Sequence, residues 1–410
     1  MSPIFPKLSG CLRERPFRLL FIGQGASVLG DAMATIAVAF AVIDVTGSKA
    51  DLGRVLMART IPLVILLILG GVIADRLPRR ALMLGSDLTR FACQAALAAL
   101  LFSGNATIAW MMALMAVYGT AEALFRPALS GLTPQTVSAP RLQEAMALLG
   151  MTPAVGLATG AVLGGVIVAA LQPAGAIALD AATFAVSAVC LVRMDASTRV
   201  VATPSTFLSD LREGWTAFRS RSWLVVVSIG ETLYSLFVMP AIFVLGPFIA
   251  DERLGGATAW ATIIASFGVG LLAGGLVATR IRPRRPLVVA YLVTLPFPLW
   301  LVLLAIGAPL WTLVGACILA GGVIAVSQAL LETTITRNVP AELRSRASSY
   351  RLLGSLSCQP LGFALVGPIA AGIGTSLALW LGAGAALANI ALVVGTPSVR
   401  AIRSPAENFE

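Results

Sequence analysis

Residues 70–80, GGVIADRLPRR, decide the fold class because they mark the abrupt end of a membrane-length apolar run. The apolar stretch IPLVILLILG at 61–70 comes immediately before them, and one acid and three arginines follow between positions 75 and 80. A charged side chain at the centre of a bilayer costs about 3 kcal/mol or more. The chain therefore leaves the membrane at Asp75 and re-enters it after Arg80.

The composition extends this pattern to the whole chain. Of its 410 residues, 58% are hydrophobic and 12% are charged, about half the charge of a soluble protein. Apolar stretches long enough to span a bilayer recur throughout. We predict an all-α integral membrane protein with twelve transmembrane helices, near 18–42, 52–74, 81–102, 107–128, 143–170, 174–193, 223–249, 258–279, 287–306, 309–332, 347–370 and 375–396.

The basic residues predict the orientation of these spans. Of the 29 Lys and Arg residues, 24 fall in the loops and tails on the side of the two termini, whereas the opposite loops hold only Lys49 and Arg253. Positive charge is retained in the cytosol. We expect a multi-pass protein of the bacterial cytoplasmic (inner) membrane with both termini cytosolic. The net charge of +10 then follows from this bias and indicates no nucleic-acid partner.

Three stretches of the first half have similar counterparts in the second half at nearly the same distance along the sequence, which indicates an internal repeat. GLVATR at 275–280 echoes the opening motif, residues 328–354 echo 122–150, and IGE at 229–231 echoes IGQ at 22–24. Two similar halves are a common plan of secondary transporters. We predict an N-terminal six-helix half (1–194), a cytosolic amphipathic linker (195–222) with Trp215 and Phe218 on its apolar face, a C-terminal six-helix half (223–398) and a cytosolic tail (399–410).

Several chemistries are disfavoured by the residues present. Histidine is absent, the five cysteines form no paired motif, and no GxxxxGK[ST] loop occurs. His-based catalysis, His-ligated metal and ATP use through a phosphate loop lack their residues. We therefore predict no enzyme activity, no metal site and no cofactor.

The opening motif resembles the loop between the second and third helices of major facilitator superfamily transporters, G-x-L-A-D-R-x-G-R-R. The matching residues are Gly71, Asp75, Arg76, Arg79 and Arg80. The resemblance implies a cytosolic gate, in which the acid lies at the N-terminus of the eleventh helix, near 345–348, where the helix dipole stabilises it. Thr279 stands at the equivalent position of the second half, so we expect a one-sided latch.

A second resemblance lies in the fifth span. Its glycines follow the antiporter motif of drug-exporting members, G-x3-G-P-x2-G-G, with Ala161 in place of the proline, at positions Gly156, Gly160, Gly164 and Gly165. Glycines four residues apart let another helix approach closely. The eighth span offers Gly270 and Gly274 as a partner face. Gly-rich packing of this kind also occurs in membrane bundles without any such function.

The chain as a whole resembles the enterobactin-exporter-like and macrolide-efflux-like bacterial branch of this superfamily. The residues that carry this likeness include Gly30-Asp31, Thr46-Gly47-Ser48, Phe125-Arg126-Pro127-Ala128, Asp180 to Phe184 and Gly367-Pro368. The resemblance implies two pseudo-symmetric halves and secondary active transport by alternating access. The expected cargo is a small amphipathic molecule such as a drug, an antibiotic or a siderophore, exported with the proton gradient as energy source.

Charged residues inside the spans are the candidates for coupling. Asp31 lies in the first span and Glu231 in the seventh, and an ionisable group within the membrane is a functional candidate by default. We expect Asp31 or Glu231 to bind protons or cargo, and we expect Arg59 to be the ion-pair partner of Asp31. The alternative is a purely structural Asp31–Arg59 pair. The arginine that proton-coupled members often carry in the fourth span is absent, since Met115 and Tyr118 occupy the matching positions.

Further candidates are weaker. Charges in the cytosolic third are expected to form salt bridges beside the gate: Asp87, Arg90, Glu122, Arg126 and, in the second half, Glu332. Polar and aromatic residues that could line a cavity are Gln24, Tyr234 and Gln328. The predicted partners are the lipid bilayer, a small-molecule substrate and protons, and the predicted state is a monomer.

Other functions remain open at this point. A lysophospholipid or other lipid carrier would share the fold, although carboxyl groups inside the membrane favour drug-like or cationic cargo. An importer would share it too. A non-transporting membrane sensor or assembly partner belongs to a different class, and the short loops offer little surface for it.

Overall fold

The structure, a computed structural model, describes residues 10–194, 215–216 and 218–403, and within 67–76, 341–342 and 345–348 it describes the backbone alone. The described part is built from helices in sequence order. They are α1 (Arg15–Thr46), α2 (Lys49–Arg76), α3 (Arg79–Phe102), α4 (Ile108–Leu132), α5 (Leu142–Val192), α6 (Ser222–Leu233), α7 (Ala257–Ala278), α8 (Pro286–Leu292), α9 (Pro296–Ala305), α10 (Leu310–Asn338), α11 (Ala341–Ser357), α12 (Gln359–Ile373), α13 (Thr375–Gly395) and α14 (Pro397–Ala401).

The membrane character predicted from the sequence is confirmed. Nine helical segments in the described part of the chain are long and apolar enough to cross a bilayer. One of them, ending with α5, is 54 residues long and counts as two spans. Helices α2 and α3, with 28 and 24 residues, exceed the length of about 20 that a bilayer requires. The chain is an all-α protein with twelve transmembrane spans.

The two spans of α5 meet at a sharp turn. Leu171 and Gln172 leave the helical conformation, and Gln172 has a φ of 61° before Pro173 starts the next segment. A proline lacks the amide hydrogen that would continue the helix. This turn lies where the sequence predicted the loop between the fifth and sixth spans.

The seventh span widens beyond an ordinary α-helix. Helix α6 continues through five-residue π-helical turns at Tyr234–Val238, Ala241–Leu245 and Ala250–Leu254, interrupted by Pro240. π-helical turns concentrate at functional sites because they rotate side chains out of the regular register. Here the first of them begins at Tyr234, three residues after Glu231.

The described helices fall into two compact units. The first holds residues 1–203 together with 257–265. In it α1 packs along α5, α2 along α4, and α3 against both α4 and α5. The buried face of α1 is rich in alanine and glycine, which lets its neighbours approach closely. A core of larger side chains closes one end: Leu20, Met83, Phe125, Leu132, Leu191 and Met194.

The second unit holds residues 204–256 and 266–410. Helix α9 packs against α10 and α13, α8 packs against α10, and α6 packs against α11 and α13. Most of the predicted linker, 195–214 and 217, lies outside the described residues. At its described end the ring of Trp215 lies 5.5 Å from that of Tyr350, and Phe218 joins the core of this unit.

Candidate functional site

Five spans of the first unit bring polar and charged side chains together in a group that we call the Asp31 cluster. Helices α3, α4 and α5 each supply three members spaced by three or four residues, which places them on one face of their helix. The members are Asp31 from α1, Arg59 from α2, Asp87, Arg90 and Gln94 from α3, Tyr118, Glu122 and Phe125 from α4, and Asp180, Phe184 and Ser187 from α5.

Asp31 is the exposed edge of this cluster. Its Oδ1 accepts a hydrogen bond from the Tyr118 hydroxyl, and its Oδ2 lies 4.0 Å from Nη1 of Arg90. The Asp31 side chain is 30% exposed, whereas that of Arg90 is 3% exposed. Asp31 therefore lies next to a buried guanidinium group while its own side chain is partly exposed.

Arg90 is held between two aromatic rings. Its Cζ lies 4.3 Å from the ring centre of Phe125 and 4.4 Å from that of Phe184. Its Nη2 donates to Asp87, whose second oxygen accepts from Ser187 Oγ at 2.6 Å. Burying an ion pair costs several kcal/mol of desolvation, and the ring faces and the Ser187 hydroxyl offset part of that cost.

Arg59 pairs with Glu122, so the predicted direct pair between Arg59 and Asp31 is wrong. Glu122 Oε2 accepts from Arg59 Nε at 3.0 Å and from Nη2 at 2.8 Å, and its Oε1 accepts from Arg126 at 2.7 Å. Arg59 pairs with Glu122 because α2 packs closely on α4. A Cβ at Gly119 would lie 2.0 Å from the Arg59 carbonyl oxygen, so the backbone of Arg59 lies directly against α4, the helix of Glu122.

Asp180 is deeply buried and held by a neutral donor. Its Oδ2 accepts from Gln94 Nε2 at 2.6 Å, and its side chain is fully buried. Gly30 makes the space, because a Cβ there would lie 2.3 Å from Asp180 Oδ1. The Gly30-Asp31 pair of α1 thus touches the cluster through both residues.

The structure regroups the residues that the sequence predicted. Asp87, Arg90 and Glu122, expected as salt bridges beside a gate, do form ion pairs, and they belong to the same cluster as Asp31. Six members were missed as site residues: the aromatic Tyr118, Phe125 and Phe184, and the polar Gln94, Asp180 and Ser187. The spacing of the three polar residues relative to Asp87 and Phe184, at three, four or seven residues, was a signal available in the sequence.

Two arginines of the opening motif bind the ends of neighbouring helices. Arg79 Nη1 donates to the Gly131 carbonyl at 2.6 Å, and Arg80 donates to the carbonyls of Leu191 at 2.6 Å and Val192 at 2.5 Å. A cation at a helix C-terminus satisfies the last carbonyls and complements the dipole. The side chains of Gly71, Asp75 and Arg76 lie outside the described ones, and the latch stays a prediction.

The glycine motif packs against α1, so the predicted partner face at Gly270 and Gly274 is wrong. A Cβ at Gly160 would lie 2.5 Å from the Leu29 carbonyl oxygen and 2.8 Å from Ala32 Cβ. Neighbouring motif glycines meet Val28 and Met33 in the same way, at Gly156 and Gly164, and Gly165 meets Ala261. Gly270 and Gly274 instead pack on Ile318 and Gly322 of α10.

The second unit carries a smaller charged group on α6, α10 and α11. Arg351 donates through Nη1 to Glu231 Oε1 and through Nη2 to Glu332 Oε1, the latter at 2.7 Å. The side chains of Arg351 and Glu231 are 11% and 16% exposed, and that of Glu332 is 55% exposed. One guanidinium therefore lies between two carboxyl groups.

A cavity of about 110 Å³ opens beside Glu231 within this unit. Its lining includes the two predicted cavity residues of this half, Tyr234 and Gln328, together with Tyr291, Phe297 and Asn389. The third predicted residue, Gln24, lies on α1 of the first unit. Its Oε1 is buried and has no hydrogen-bond partner among the described residues.

Comparison with known proteins places these features in a family. The sequence model of the MFS_3 family, transmembrane secretion effectors, matches residues 8–408. The multidrug efflux pump Tap of Mycolicibacterium fortuitum is 27% identical over 395 residues, which are 90% of this chain and 93% of that protein. Macrolide efflux protein A of Streptococcus pyogenes is 25% identical over 264 residues, or 63% of this chain. The chain spans 65% of the length of that relative.

Solved structures support the fold independently of close sequence similarity. The nucleoside transporter NupG superposes with a TM-score of 0.73 at 12% identity, covering 92% of this chain and 98% of that one. A bacterial homologue of the human lysosomal transporter Spinster, in an inward-facing and unoccupied conformation, gives a TM-score of 0.68 at 14% identity and covers 97% of both chains. At these identities the likeness establishes the fold.

Proposed function

Because the chain belongs to the transmembrane secretion effector family of major facilitator transporters, we propose that it exports a small amphipathic compound in exchange for protons. Alternating access of the two halves would carry cargo outward and protons inward. The relatives named for macrolide and multidrug efflux favour a drug-like cargo over a lipid.

The charge balance of the Asp31 cluster carries this proposal. Three carboxyl groups, at Asp31, Asp87 and Glu122, face the guanidinium groups of Arg59 and Arg90, the fourth, at Asp180, is held by Gln94, and the largely exposed Arg126 adds a third guanidinium group at the rim. Guanidinium groups stay protonated under all physiological conditions. With every carboxyl ionised the cluster would hold one excess negative charge inside the membrane, so neutrality favours one bound proton.

Asp31 is the proposed exchange group, because it alone of the four carboxyl groups combines partial exposure with contacts to the rest of the cluster. Protonation of Asp31 weakens its attraction to Arg90 and changes the hydrogen bond with Tyr118. Arg90 keeps its pair with Asp87 in either state. A single proton thus alters the link between α1 and α3 while the α3–α5 contact through Ser187 stays intact.

The test is transport by purified protein in proteoliposomes with an imposed pH gradient, using ethidium and radiolabelled erythromycin as amphipathic probes. We expect Asp31→Asn to abolish pH-driven accumulation of a transported probe, while exchange of that probe without a gradient continues. Asp251→Asn, an exposed carboxyl at the end of the seventh span, is the matched control and retains both activities. Gradient-driven transport that survives Asp31→Asn would overturn the coupling role.

Orientation and assembly belong to the same proposal. We infer cytosolic termini from the distribution of basic residues, a monomeric transporter, and a cytosolic latch that includes Asp75. Labelling of single cysteines at residues 49 and 285 with a membrane-impermeant thiol reagent in intact cells tests the orientation. We expect labelling at 49 and none at 285, and the reverse result would refute it.

A further inference from the structure

The residues that line the cavity beside Glu231 include two whose buried acceptor atoms lack donors among the described residues. Asn389 is 8% exposed and lines the cavity, and its Oδ1 is without a hydrogen-bond partner among the described residues. Within the same part of the chain, Glu231 Oε2 is also buried and unpartnered. Leaving a buried acceptor unmet costs about 1–3 kcal/mol. Two of them beside one cavity indicate a ligand that supplies donors or positive charge.

The charged residues beside the cavity carry excess negative charge, which suits a ligand with positive charge. Arg351 serves both Glu231 and Glu332, so two carboxyl groups share one cation. The single pair between Arg351 Nη1 and Glu231 uses one carboxylate oxygen and leaves the other without a partner. A second positive group placed in the cavity would complete the charge balance that Arg351 leaves unfinished.

The walls suit an organic cation better than a metal ion. Tyr234 and Phe297 lie with ring centres 5.6 Å apart, and Tyr291 lines the same space. Aromatic faces attract substituted ammonium groups. A hard metal ion is held by several oxygen ligands, carboxylates foremost, and Glu231 is the one carboxyl group among the described residues that line the cavity. A volume of about 110 Å³ admits a single small ammonium head.

We propose that this cavity is a binding site for a protonated or quaternary amine, with Glu231 as counter-ion, Asn389 as acceptor and Tyr234, Tyr291 and Phe297 as aromatic wall. The site takes the amine head of a larger amphipathic molecule. This inference uses the proposed export function for its role in transport, and binding itself is independent of proton coupling.

The close contact between Gly230 and Asn389 positions the acceptor. A Cβ at residue 230 would lie 2.2 Å from Asn389 Oδ1. The absence of a side chain at this position therefore lets the amide lie beside the backbone of the residue preceding Glu231. An added methyl group at residue 230 would displace the amide without removing any charge.

The experiment measures binding alone, by saturation-transfer-difference NMR on detergent-purified protein. The probes are choline and dimethylbutanol, its neutral isostere, in which carbon replaces the ammonium nitrogen. We expect saturation transfer to the choline methyl groups and little to those of dimethylbutanol. Glu231→Gln should weaken choline binding about tenfold or more, because a charge-assisted contact is lost. Asn389→Leu and Gly230→Ala should weaken it about threefold.

Matched variants separate this proposal from the export mechanism. Asp251→Asn, at an exposed carboxyl group that does not line the cavity, leaves choline binding unchanged. Equal saturation of choline and dimethylbutanol, or choline binding untouched by Glu231→Gln, would overturn the amine site. Failure of Asp31→Asn to stop pH-driven transport would overturn proton coupling and leave the amine site standing.

Discussion

The two units solve the problem of charge in a membrane in different ways. In the first, the Asp31 cluster joins five spans, and its guanidinium groups are hydrogen-bonded to carboxylates or stacked on rings. In the second, Arg351 with Glu231 and Glu332 occupies the edge of a cavity. Unpartnered buried atoms occur in both among the described residues, at Arg90 Nε and Gln94 Oε1 in the first and at Glu231 Oε2 and Asn389 Oδ1 in the second. The clusters therefore differ in size, in the fully buried Asp87–Arg90 pair of the first and in the cavity of the second.

The same difference appears at corresponding positions of the two halves. IGQ at 22–24 and IGE at 229–231 are equivalent, yet Gly23 packs on Ser187 whereas Gly230 packs on Asn389. Ser187 donates to Asp87, and Asn389 Oδ1 has no donor among the described residues. The residue that packs on this glycine thus supports an ion pair in the first half, where it is Ser187. In the second half it is Asn389, which carries an acceptor without a donor among the described residues.

Removal of the central arginine from each unit gives the largest expected contrast. Arg90→Met leaves Asp87 buried and unpaired, so we expect a loss of about 3–5 kcal/mol in the free energy of unfolding. Arg351→Met should cost roughly half as much, since its partner Glu231 is 16% exposed beside a cavity and Glu332 is 55% exposed, whereas Asp87 is fully buried. Thermal unfolding of the detergent-purified proteins, followed by tryptophan fluorescence, measures both. Equal losses would remove the energetic distinction between the two clusters.

The carboxyl groups of the first unit offer a finer contrast. Asp87→Asn discards the partner of a buried guanidinium, and we expect a loss of about 3 kcal/mol in stability. Asp180→Asn keeps an oxygen to accept from Gln94, so its cost should stay below about 1 kcal/mol. The same unfolding measurement ranks them. A loss for Asp180→Asn as large as that for Asp87→Asn would show that Asp180 acts as a paired anion.

The glycine motif tests whether the packing of α5 on α1 supports the cluster. Gly160→Val forces a side chain against the Leu29 carbonyl and Ala32, and overpacking of this kind costs about 1–3 kcal/mol. Gly150→Ala is the control, since a Cβ there has no neighbour within 4 Å. We expect Gly160→Val to lower the melting temperature and Gly150→Ala to leave it unchanged or raise it. A melting temperature for Gly160→Val equal to that of the unmodified protein would contradict close helix approach at this point.

The fold could be predicted from the sequence because the features that indicate it accumulate over the whole chain. Length of the apolar runs, loop charge and internal echoes each depend on composition over many residues. Even the turn at Leu171 and Gln172 was predictable, from the proline that follows. Helix existence and order therefore needed no knowledge of tertiary contacts.

The partners of the charged residues were not predictable in the same way. Arg59 and Asp31 lie on neighbouring spans, and the depth of each along its helix suggested a pair. The choice of Glu122 instead depends on Gly119, which brings α2 onto α4. Likewise, Gly160 could be recognised as a close contact, but its partner α1 depends on topology. The rotation of each helix about its axis determines which charged residues pair. A sequence with polar residues on several faces of its helices does not determine that rotation.

A carboxyl group outside the spans shows how much a hydrogen-bonded, paired carboxylate contributes to stability when it is exposed to water. Its replacement gives the smallest expected effect. Glu14, at the start of α1, accepts from Ser138 N at 2.9 Å and Oγ at 2.8 Å and from Arg141 at 3.3 Å. The hydrogen bonds from Ser138 lower the pKa of the Glu14 carboxyl below its usual value. Its stabilising contribution is therefore complete above the ordinary pKa of about 4.3 and disappears as the pH falls through the lower folded value.

This contribution should stay below about 1 kcal/mol because the pair is solvated. We expect Glu14→Gln to melt slightly below the unmodified protein at pH 7, with the two melting temperatures converging as the pH falls below about 4. Ser138→Ala is the matched control, since it removes the main donor and should flatten the same pH dependence. A gap that widens on acidification would mean that the folded pKa of Glu14 is raised, which its hydrogen bonds exclude. Solvated contacts of this kind stabilise the loops weakly, whereas the loss of a buried charge partner in either unit is expected to cost several times more.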